Sequence, residues 1–99
     1  MAELIYSERA LEDLDRLATF LLEDAPELAA DTVELIREAV TVLRHHPDIG
    51  RPAEAGLREL VISRGRTGYL ALYAYLPEQD TVLILAVRHQ REVAYLPGA

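Results

Sequence analysis

The chain has 99 residues, 51% of them apolar, no cysteine and a formal net charge of −7. That length suits one domain over residues 1–99, and the missing cysteine excludes disulfides, thiolate chemistry and cysteine metal sites. No apolar run is long enough to span a membrane, and Met1-Ala2-Glu3 lacks the basic flank of a signal peptide, so a cytoplasmic protein is expected.

Glu3-Leu4-Ile5-Tyr6 reads as a first strand, and Ser7 as the cap of a helix beginning at Glu8. Leu11, Leu14, Leu17, Ala18, Leu21 and Leu22 recur at three-and-four spacing and form its apolar stripe. Glu12, Asp13, Asp15, Arg16 and Glu23 fall on the polar face. Asp24-Ala25-Pro26 punctuates, with Asp24 the cap candidate and Pro26 suited to a first helical turn. A second helix runs to about Arg44 on Leu28, Val33, Ile36, Val40 and Leu43, and so short a join predicts an antiparallel hairpin.

Residues 47–57 read as a loop, because Pro47, Gly50, Pro52 and Gly56 interrupt any period. Leu57 to Ser63 reads as a strand, followed by a turn over Arg64–Gly68. Tyr69 to Leu76 alternates, with Tyr69, Ala71, Tyr73 and Tyr75 on one face and Leu70, Leu72, Ala74 and Leu76 on the other. Those tyrosines read as packing against the helices rather than as a platform for stacking bases. Pro77–Asp80 is a hairpin loop, and Thr81 to Val87 is the most apolar run, as suits a central strand. The expected fold is α+β: β-α-α-β-β-β, a helical hairpin on a mainly antiparallel four-stranded sheet.

The charge is unevenly placed. Residues 1–48 hold twelve acids and four arginines, whereas residues 49–99 hold six arginines and five acids. An acidic first half repels nucleic acid, so any contact with RNA or DNA falls to the second half. There the last strand ends in Arg88-His89-Gln90-Arg91-Glu92, with Tyr95 just beyond. His89 and Tyr95 can move protons, and Arg88 and Arg91 can hold a phosphodiester. Arg58, Arg64 and Arg66 join this patch if their strands are neighbours. The competing reading is that a strand leaving the core turns polar because it meets water. His45-His46 reads as complementing a helix C-terminus, and no metal or cofactor is expected.

In order and spacing the chain resembles the RelE/ParE toxin superfamily along nearly its whole length. The resemblance rests on the opening strand with Ser7 and on Ala10-Leu11-Glu12-Asp13-Leu14. It continues through Leu43 to Arg51, Leu57-Arg58-Glu59-Leu60 and Gly68-Tyr69-Leu70-Ala71-Leu72-Tyr73. It ends with Val82 to His89, leading to Arg91 and Tyr95. It implies a growth-inhibiting bacterial toxin of the type II, plasmid-stabilisation kind, held silent by a cognate antitoxin in a hetero-oligomer. The superfamily holds two activities: RelE-like members cleave mRNA on the ribosome, and ParE-like members inhibit DNA gyrase without chemistry of their own. On the ribonuclease reading His89, Arg91 and Tyr95 are catalytic and Arg58, Arg64 and Arg88 bind substrate. The His/Arg/Tyr cluster tips the expectation slightly to the ribonuclease. The lack of lysine and the net negative charge favour the gyrase inhibitor, and an inactive antitoxin-binding homologue is the third alternative.

Overall fold

Ser7 sets where the first strand gives way to helix: its hydroxyl accepts the Ala10 N–H at 3.1 Å and donates to the Leu85 carbonyl at 3.1 Å. The computed structural model describes residues 1–64, 67–92 and 94–95, with the side chains of Ser63, Arg64 and Thr67 left out. In chain order come β1 (Glu3–Tyr6), α1 (Glu8–Asp24), α2 (Pro26–Thr41), β2 (Arg51–Pro52), β3 (Arg58–Arg64), β4 (Thr67–Leu76) and β5 (Thr81–His89). The strands form one sheet in the order β1-β5-β4-β3-β2; every pairing is antiparallel except β1 with β5. Both helices pack on one sheet face, where Leu14, Leu17, Ile36 and Val40 meet Ile62, Tyr69, Tyr73, Val82, Ile84 and Val87. The α+β class and the helical hairpin agree with the periodicity.

Several expectations need correction. The sheet has five strands among the described residues rather than four, because Arg51 and Pro52 pair with Glu59 and Arg58 inside the expected loop. A two-residue strand carries no alternation to read. Ala25, not Asp24, occupies the N-cap of α2, and no side chain caps that end. Asp24 is still the last residue of α1, so the one-residue link leaves only Ala25 outside both helices. The second helix ends at Thr41, and Val42–Arg44 tightens into a 3₁₀ turn.

The burial of α1 also differs from its simple stripe. Leu11 is 55% exposed and Leu22 57% exposed, whereas Asp13, assigned to the polar face, is only 4% exposed. Its carboxylate accepts the Val87 N–H at 2.9 Å. The cause lies in the sheet: β1 pairs with β5 only from Thr81 to Ile84, so β5 beyond that point has an unpaired edge. The start of α1 covers that edge, with Ser7, Asp13 and Arg16 supplying the missing hydrogen bonds. A register shift opposite Leu72 and Tyr73 leaves Leu85 as an extra residue in β5. This bulge turns both Ile84 and Val87 toward the helices.

A second close fit seats the loop before β2. The buried Tyr73 hydroxyl donates to the Pro47 carbonyl at 2.7 Å and accepts the Gly50 N–H at 2.9 Å. A Cβ at position 50 would stand 2.6 Å from Tyr73 Cε1 and Oη, so glycine is required there for the close approach.

Candidate functional site

The end of β5 presents its side chains to two different faces. His89 pairs with Tyr69 and Arg88 with Leu70, so the pleat sends His89 to the helix side and Arg88 to the open side. His89 meets Tyr69 edge-on, with ring centroids 5.1 Å apart. Its Nδ1 accepts the Arg91 N–H at 3.0 Å, which leaves Nε2 to carry the proton of the neutral ring. Glu92 organises the turn: one carboxylate oxygen accepts the His89 N–H at 2.9 Å and the other accepts Arg16 Nη1 at 2.8 Å. Its carbonyl accepts Arg88 Nη1. Arg16, Phe20, His89, Arg91 and Glu92 line an open cleft of about 500 Å³ between α1 and the end of β5.

On the open face Tyr95 returns toward β3. Its hydroxyl donates to Glu59 Oε2 at 2.6 Å, and the Arg88 guanidinium lies 5.0 Å from its ring centroid. Glu59 Oε1 also accepts Arg51 Nε at 2.8 Å. Burial alone would raise the Glu59 carboxyl. The bonds from Tyr95 and Arg51, with the Arg88 charge, outweigh burial and hold it below the usual carboxylate range. Burial raises the Tyr95 phenol, and the Glu59 carboxylate lifts it well beyond the ordinary range. Glu59 stays ionised near neutrality, and Tyr95 stays a protonated donor that is already engaged.

The expected site residues therefore fall into separate groups. His89 and Arg91 lie together in the cleft, whereas Tyr95 and Arg88 lie together on the opposite face. Arg58 joins neither group: it donates to the carbonyls of Gly50 at 2.7 Å and Asp48 at 3.2 Å and holds the loop before β2. Arg64 ends β3, its side chain lies outside the described residues, and Arg66 lies wholly outside them. Among the described residues no three His, Asp or Glu side chains gather as a metal would require. Sequence reasoning did not single out Glu59 or Phe20, and it gave Glu92 no role of its own within the polar cluster. Glu59 sits in the polar pair that opens β3, where an acid facing solvent is the default. Phe20 sits in a helix but off its stripe, which was the available signal.

Residues 4–94 match the family described as the ParE toxin of the type II toxin–antitoxin system, parDE. The chain belongs to the RelE/ParE toxin superfamily. It is 38% identical to the protein named Toxin RelE3 of Caulobacter vibrioides, over 85% of this chain and 89% of that relative. Among solved structures, the chromosomal ParDE system of P. aeruginosa aligns with a TM-score of 0.79 at 27% identity. That alignment covers 90% of this chain and 96% of that one. The RelBE2 toxin–antitoxin complex of Mycobacterium tuberculosis aligns with a TM-score of 0.61 at 29% identity, over 92% and 93% of the two chains. The chain is thus a toxin of the type II class. Among the described residues no helix is long and apolar enough to cross a membrane.

Proposed function

We propose that this RelE/ParE-superfamily toxin acts in the ParE-like way, binding and inhibiting DNA gyrase rather than cutting mRNA. The observation that carries this reading is the division of the expected catalytic group. A ribonuclease needs its acid, base and phosphate holder around one scissile bond, within hydrogen-bond reach of it. Here His89 and Arg91 face the helix side while Tyr95 and Arg88 face the open side, and the Tyr95 hydroxyl is committed to Glu59. The net charge of −7 also opposes approach to the dense phosphate of a ribosome.

The antitoxin has a natural seat on the helical hairpin. Tyr6, Leu11, Leu14, Val33 and Arg37 line a groove of about 310 Å³, and Leu22 and Leu28 are exposed elsewhere on the same two helices. Glu8, Glu12, Asp31, Glu34 and Glu38 stand exposed on the same two helices. An amphipathic antitoxin helix with Leu or Val on one side and Arg or Lys flanking it fits both features.

A second reading keeps one observation in its favour. Glu59, Tyr95, Arg51 and Arg88 form a compact acid, phenol and guanidinium group on the open face, which is a possible kit for RNA cleavage through the 2′-hydroxyl. Inducing the chain without its antitoxin, while following DNA, RNA and protein synthesis separately, distinguishes the two. The ParE-like reading expects gyrase-linked DNA breaks with intact mRNA. Breaks in mRNA at ribosome-occupied codons, with DNA intact, would overturn it.

A further inference from the structure

The cleft between α1 and the end of β5 has a character unlike the rest of the helical surface. Phe20 stands 64% exposed at its wall, an unusual place for the chain's one phenylalanine. Arg91 is exposed, and among the described residues its guanidinium has no partner. The wall behind them is braced. His89 is held by Tyr69 and by the Arg91 N–H, while Arg16 is held by Glu92 and Asp13. The cleft thus offers an apolar ring and an unengaged cation on a preformed base, with little to reorganise on binding. Aromatic and arginine side chains of this kind anchor many protein interfaces.

We infer that this cleft grips the toxin's target protein, taking a bulky apolar side chain against Phe20 and a neighbouring carboxylate on Arg91. The inference rests on the ParE-like reading above, since it supposes a target that is bound and not cut. Charge complementarity selects the occupant. The exposed acids of α1 and α2 suit a basic partner, which is the antitoxin, whereas the cleft sets the unengaged Arg91 and the His89 ring beside Phe20, the Arg16 charge being already met by Asp13 and Glu92. The cleft therefore fits a segment that sets one carboxylate, for Arg91, beside one large apolar residue, for Phe20. His89 adds an Nε2–H that can donate to the same carboxylate.

The test uses the purified chain and supercoiling by purified DNA gyrase as the direct readout. Phe20→Ala and Arg91→Glu should each need roughly tenfold more protein for half-inhibition, the loss expected of an interface anchor. Arg91→Lys, which keeps the charge, should stay close to wild type. Both weakening substitutions fall on exposed side chains, so their melting temperatures should match the parent. Variants that inhibit gyrase as strongly as wild type would overturn the cleft while leaving the ParE-like reading in place. A wild-type chain that leaves gyrase untouched and cuts mRNA would overturn the reading itself. Binding of a labelled single-stranded RNA, lost in the same two variants, would show that the cleft takes nucleic acid and would overturn a protein occupant.

Discussion

Tyr73 shows how much one side chain can decide here. It is fully buried in β4, and its hydroxyl satisfies both the Pro47 carbonyl and the Gly50 N–H of the loop that leads into β2. Tyr73→Phe keeps the packing but strips partners from two backbone groups, for a loss of about 2 kcal/mol. In a domain of this size that lowers the melting temperature by roughly 10 °C, which thermal unfolding followed by circular dichroism measures directly. The alternation that placed Tyr73 on the buried face was visible in the sequence; the loop it ties down was not, because those partners lie 26 and 23 residues away. The same distance hid Glu59, whose meeting with Tyr95 joins residues 36 apart.

At the scale of elements, α1 is both a core helix and a cover for the free edge of β5. Leu14 and Leu17 give it an apolar footing, while Asp13 and Arg16 reach the backbone of Val87. Asp13→Ala leaves the buried Val87 N–H without a partner and loosens Arg16, so it should cost about 2–3 kcal/mol. Urea unfolding monitors this. An unchanged midpoint would show that the edge is satisfied by other means, and a fall in midpoint with unchanged slope is the result expected. Helix periodicity could not predict this use of Asp13. An aspartate at that spacing is ordinarily solvated, and only the early end of the β1–β5 pairing creates the need for an acceptor.

For the whole molecule, the uneven charge is the governing feature. Twelve acids against four arginines in residues 1–48 give the helical hairpin a strong negative field, which should draw a basic antitoxin segment toward it. The association rate of toxin and antitoxin should therefore fall as salt rises, with the dissociation rate less affected, in stopped-flow measurements across ionic strengths. A rate indifferent to salt would remove electrostatic steering from the description of that interface.

Taken alone, the sequence determined the hairpin of helices, the antiparallel run of β3, β4 and β5, and membership in a toxin superfamily. Each of these rests on local periodicity or on the order of short motifs. What the tertiary structure alone decided is which polar residues stand together at the end of β5. Successive residues of a strand point to opposite faces, so neighbours in sequence such as Arg88 and His89 are parted, and Tyr95 is carried to the side of Glu59 instead. A cluster written along five residues becomes two surfaces, because the pleat separates what the chain places side by side.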